Sequence, residues 1–156
     1  CARWTINGVR RILRDMSAEQ QFDTDGRYVA RTGDLTVRVK PVYLAKQSEP
    51  AKSRYVWAYE VTIENDGQDT VQLLDRYWHI TDGNGRVEEV EGPGVIGKQP
   101  ILRPGQSFSY ASGCPLSTPS GIMVGHYGML SGTGDRFRIA IPPFSLDLPR
   151  RDSQLN

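Results

Sequence analysis

Three side chains in the body of this 156-residue sequence are suited to ligand or nucleophile chemistry: His79, His126 and Cys114. A metal site draws on clustered His, Cys, Asp and Glu. The two histidines lie in different strand-like segments, and only together with Asp75 or Asp82 would they make a ligand set. Magnesium prefers carboxylates and water, but Glu88, Glu89 and Glu91 read as the wet face of a strand. A surface or hydrogen-bonded histidine needs no metal to explain it, so neither a metal site nor a cofactor is expected. Nucleophilic catalysis finds no G-x-S-x-G elbow, and Cys114, with Pro115 next to it, has no base near it in sequence. It reads as a packed, inert thiol. No carboxylate pair has a setting that marks it for acid–base work, and the chain is expected not to be an enzyme.

One spacing invites a different chemistry. Gly92, Gly94 and Gly97 satisfy G-x-G-x-x-G, the pattern that holds a pyrophosphate when its glycines open a helix. A strand does precede them. Downstream, Lys98 to Gly105 contain Pro100 and Pro104, each of which would remove a helical hydrogen bond and clash with the preceding turn. The glycines therefore read as a structural loop needing positive φ and close backbone approach. A nucleotide-, pyrophosphate- or metal-binding protein using this loop or the His79/His126 pair stands as the alternative function.

The charge balance, 19 basic against 18 acidic residues, argues against a dedicated polyanion surface. The Arg76-Tyr77-Trp78 triplet is weak evidence beside it, and no nucleic acid is expected as a partner. No apolar run nears the roughly 18 residues needed to span a bilayer. Two cysteines, Cys1 and Cys114, do not make a disulfide framework, and without a signal-peptide core the expected location is the cytoplasm.

These residues have to be positioned by strands. Sixteen glycines and ten prolines between short apolar runs suit a turn-rich β protein. Leu35, Val37 and Val39 alternate with polar residues, and Pro41 places that strand on an edge or bends it. Tyr55, Trp57, Tyr59, Val61 and Ile63 share one face of the clearest strand. From Thr70 to Asp82 both faces are apolar, with Leu74, Trp78 and Ile80 on one and Val71, Leu73, Tyr77 and His79 on the other. That pattern suits a central strand or one with a bulge. Phe108 and Tyr110, then Met123, Tyr127 and Met129, then Phe137, Ile139 and Ile141 mark three more strands. Asn65-Asp66-Gly67, Gly83-Asn84-Gly85 and Pro104-Gly105 supply turns. The total is seven to eight strands, an all-β sandwich.

The segment Tyr77-Trp78-His79-Ile80-Thr81, Gly83-Asn84-Gly85 and Val90 to Gly97, continued by Gln99-Pro100, Ser107 to Gly113, Ser120 to Met129 and Arg136 to Phe144, resembles the core of the ApaG family. The resemblance runs from Leu35 to Leu148. It implies an immunoglobulin-like, fibronectin type III-like β-sandwich and no settled activity. Bacterial relatives are linked by name to cobalt resistance and magnesium efflux and are found beside a diadenosine tetraphosphate hydrolase. Eukaryotic relatives are domains of F-box proteins and of a polymerase delta-interacting protein, which implies a role in binding other proteins.

The expected organisation is a loosely ordered, partly non-native extension over 1–34, the sandwich over 35–148 and a polar tail over 149–156. Within the extension Met16 is a plausible start, and Trp4, Ile6, Val9, Leu13 and Met16 approximate the spacing of a basic amphipathic helix. A partner site is expected if the strand carrying Tyr77 and His79 lies beside the one carrying Ile122, Val124 and His126. Their outward side chains then form one patch, bordered by Arg76 or Arg38 and fit for an unidentified protein partner. The competing occupants are the N-terminal segment or a second copy of the chain in a homodimer.

Overall fold

A computed structural model describes residues 21–149. They form ten strands: β1 (Gln21–Phe22), β2 (Tyr28–Thr32), β3 (Leu35–Tyr43), β4 (Tyr55–Asn65), β5 (Val71–Asp82), β6 (Val87–Pro93), β7 (Ile101–Leu102), β8 (Ser107–Leu116), β9 (Gly121–Ser131) and β10 (Arg136–Leu146). All pairings are antiparallel. One sheet has the order β1-β2-β3-β4-β8 and the other β10-β9-β5-β6, with β7 on the start of β5. The β-sandwich expected from the strand pattern is the fold. β1 and β7 are two-residue pairings that no alternation could reveal.

The period-two pattern decides what is buried. Trp57, Tyr59, Val61 and Ile63 of β4 and Leu35, Val37 and Val39 of β3 turn inward from the first sheet, each of them buried. Met123, Tyr127 and Met129 of β9 and Ile139, Ile141 and Phe144 of β10 meet them from the second. Burying each such side chain is worth about 1.5–3 kcal/mol, which makes this layer the main source of stability. At its centre Tyr59, Trp78 and Phe144 join the two sheets. Tyr59 and Phe144 each meet Trp78 edge to face, at centroid distances of 5.3 and 5.9 Å. Trp78 needs Gly125 opposite it on β9, since a Cβ there would overlap the Tyr77 carbonyl and press on the indole.

The two-faced pattern of β5 has a local cause. The register shifts between Leu73 and Asp75, so Leu74 is an extra residue with no opposite number on β9. Val71 and Leu73 face the core before the bulge, and Trp78 and Ile80 face it afterwards. Leu74 therefore does not share the Trp78 face as the plain alternation predicts. The insertion shifts the phase by one.

β2 covers β3 from Leu35 to Val39, and beyond Val39, where Pro41 sits, β3 is an edge. Pro41 is tolerated because β2 stops at the Tyr28–Val39 pair, leaving no partner that would need its missing N–H. The first sheet also begins inside the 1–34 segment, tied down by Asp23, which bridges Arg27 and Arg38, while Arg38 also pairs with Glu64. Tyr28 adds a hydrogen bond to Ser145 across the sandwich at 3.0 Å. The amphipathic pattern at Trp4 to Met16 lies outside the described residues, as does the tail beyond residue 149.

Candidate functional site

β5 and β9 are neighbours, and their register sets Tyr77 opposite His126, His79 opposite Val124 and Thr81 opposite Ile122. The five residues Tyr77, His79, Ile122, Val124 and His126 thus share the outer face of the second sheet. The Tyr77 and His126 rings stack with centroids 5.0 Å apart and planes 20° from parallel. β6 sets Glu91 opposite Tyr77 and Glu89 opposite His79. On the other side β10 brings Arg138 opposite Gly128 and Ala140 opposite His126. An acidic border and a basic one therefore flank an aromatic centre. A cleft of about 870 Å³ opens there, lined among others by Asp75, Tyr77, His126, Phe137 and Arg138.

Accessibility within the patch is uneven. Tyr77, Ile122, Val124 and His126 are half-buried, but His79 is only 1% exposed, because cross-strand side chains crowd it from both β6 and β9. His79 therefore does not present its ring to a partner. Burial lowers the pKa of His79 against the opposing charge of Glu89. Burial, with a smaller effect from the nearby Arg138, lowers that of His126. Both imidazoles are neutral at pH 7. Of the two arginines expected at the border, Arg38 is on the first sheet, while Arg76, paired with Gly92 and Tyr127, lines the cleft together with Tyr77 and His126.

The glycine loop is a hairpin turn. Val95 and Lys98 exchange backbone hydrogen bonds of 2.8 and 2.9 Å, and the two residues between them, Ile96 and Gly97, both have positive φ, 45° and 76°. That is a two-residue turn of the primed kind. Gly94 also has positive φ, 64°, and a Cβ there would overlap the Lys98 carbonyl. Gly92 lies beside the Arg76 guanidinium. The loop leads into the short strand β7 rather than a helix, so no helix N-terminus faces it. The β5 bulge fastens the loop instead: the Leu74 carbonyl accepts from the Gly94 N–H at 2.8 Å and from Gln99 Nε2 at 2.9 Å. Arg76 Nη1 donates to the carbonyls of Pro93 and Gly94 at 3.1 and 2.8 Å. Sequence reading missed this role of Arg76, because the bulge that sets its direction is invisible to residue spacing.

Cys114 is buried, and burial together with the charge of Glu88 pushes its thiol up to about 11, so it carries no thiolate at neutral pH. Among the described residues no group of three His, Cys, Asp or Glu side chains is placed to hold a metal ion. No helix among them is long and apolar enough to cross a membrane.

Comparison with known proteins bears on this geometry. Residues 45–131, which span β4 to β9, match the family model of the ApaG domain. This chain belongs to the ApaG family. It is 63% identical over 122 residues to protein ApaG of Mesorhizobium japonicum, covering 78% of this chain and 94% of that one. Protein ApaG of Rhodospirillum centenum is 56% identical over 129 residues, covering 83% and 99%. Among solved structures, the putative ApaA protein from Bordetella pertussis superposes with a TM-score of 0.74 at 50% identity, over 75% of this chain and 95% of that one. The ApaG match spans both the outer-face patch and the glycine turn.

Proposed function

We propose that this ApaG-family chain is a non-enzymatic binding domain of the cytoplasm that engages a protein partner through the outer face of its second sheet. The observation that carries this reading is the cross-strand grouping of Tyr77 and His126 with Val124 and Ile122, bordered by Glu91 on one side and Arg138 on the other. Aromatic anchors inside a polar rim are the usual anatomy of an interface. The stacked pair adds rigidity, since two rings held against each other lose little freedom on binding. The buried, protonated Cys114 agrees with a reducing compartment. The association with cobalt resistance and magnesium efflux fits this reading best as an indirect effect of the partner, since no cluster of metal-ligating side chains is found among the described residues.

The test is capture of partners from cell extract by the immobilised domain, with Tyr77→Ser combined with Val124→Ser. Both positions are half-buried on the outer face, so the fold should survive while the captured bands weaken or vanish. Undiminished capture by a folded double variant would sink the assignment. The alternative, a nucleotide held by the glycine loop, lacks the row of free N–H groups it requires, since those of Gly94, Val95 and Lys98 are spent within the protein.

A further inference from the structure

A second cavity, of about 330 Å³, lies on the flank of the sandwich and adjoins the outer-face cleft at Arg76 and Pro93. It is lined by Tyr59 of β4, Arg76 of β5, Tyr110 and Ser112 of β8, and the turn from Pro93 to Gly97. Arg76 enters it because the bulge at Leu74 turns the residue inward, and its guanidinium lies against Gly92 of the neighbouring strand. Nη1 spends its hydrogens on the carbonyls of Pro93 and Gly94. Nε and Nη2 meet no acceptor among the described residues, and no carboxylate there lies within 4 Å of the guanidinium.

A guanidinium is charged at every physiological pH, and holding it between two sheets without a counter-charge is costly. Its remaining edge, Nε–H beside Nη2–H, is the parallel fork that matches a carboxylate or phosphate. Hydroxyl groups line the opposite wall: Tyr59 and Ser112, which share a hydrogen bond, and Tyr110, which shares one with Tyr127. Burial raises the pKa of all three phenols, so each remains a protonated donor at neutral pH. One permanent cation and several neutral donors around one space make a site for a negatively charged oxygen group.

We propose that this flank cavity binds an oxyanion, a phosphate or carboxylate group, on the Arg76 fork, with the hydrogen-bonded Tyr59–Ser112 hydroxyl pair supplying one further donor. At about 30 Å³ per water the space is worth roughly eleven waters, enough for a small ion or the anionic end of a larger molecule. The site uses the glycine turn as a wall and owes nothing to a helix dipole. It shares Arg76 and Pro93 with the outer-face cleft, so the two assignments are separated by Tyr59 and Ser112, which line the flank cavity and not that cleft.

The test is a titration of the 15N-labelled chain with inorganic phosphate and, separately, with malonate, with sodium chloride holding the ionic strength. Saturable shifts of the Ile96, Gly97 and Ser112 amides and of the Arg76 Nε–H are expected, and the ion that produces them names the source. Tyr59→Phe keeps the Arg76 clamp and should weaken binding about tenfold, the loss of one hydrogen bond to a charged group. Arg76→Gln should abolish saturation. Should Arg76→Gln fail to fold, Tyr59→Phe decides. Shifts that do not saturate, that match those in chloride, or that keep their affinity in either folded variant overturn the proposal.

Discussion

Trp78 shows how much one residue carries. It is 2% exposed, wedged between Tyr59 and Phe144 and seated on Gly125. Trp78→Ala should cost about 3–5 kcal/mol, measured by urea unfolding, because the surrounding rings cannot close the gap. A loss near zero would mean that the ring is not the anchor its contacts describe. Histidine gives a pH signature at the same scale. Since burial depresses the folded pKa of His79 and of His126 below 6.5, the unfolded chain binds protons more readily in that range. Their contribution is complete above the unfolded pKa and is lost as the pH falls from there through the folded one. Stability should decline as the pH falls below about 7, and His79→Gln should flatten the decline. An unchanged slope in that variant would assign the effect to other groups. Cys114, in a Cys1→Ser background, should react with a thiol reagent only after unfolding.

At the scale of the element, the turn from Pro93 to Lys98 joins the β5 bulge to both cavities. Gly94→Ala should lower stability by about 2 kcal/mol or more, since it combines positive φ with overlap on the Lys98 carbonyl. Ile96 works in the opposite sense. It is β-branched, 54% exposed and held at a φ of 45°, a conformation that residues of its kind rarely adopt. Ile96→Asn should therefore stabilise the fold by about 1 kcal/mol, read as a raised urea midpoint, because Asn tolerates the left-handed region. A drop in stability would show that the isoleucine has packing partners worth more than the strain. The bulge itself explains why spacing could not orient Arg76. Alternation is a rule for paired residues, and Leu74 has no opposite number.

For the whole molecule, the question is where the cooperative unit begins. The resemblance places the domain start at Leu35, yet β2 pairs along β3, and Tyr28 packs on Phe144 at a centroid distance of 6.1 Å. Deleting residues 1–34 should lower the unfolding midpoint well below that of the full chain and leave β3 as a bare edge open to association. Equal midpoints, with the truncated chain monomeric, would show that residues 21–32 add nothing to the fold.

The all-β class and the alternating faces of β3, β4, β9 and β10 were legible in residue types and spacing, because strand periodicity acts over a few residues, while membership of the family was legible through the resemblance of longer segments. The pairing of Tyr77 with His126 was legible only as a condition, since sequence gives each strand its faces and not its neighbour. Tertiary structure alone decided that β9 lies beside β5, that His79 is sealed from water and that an extra residue at Leu74 turns Arg76 into the flank cavity. Those outcomes depend on register and on contacts between residues tens of positions apart, and no local pattern encodes them.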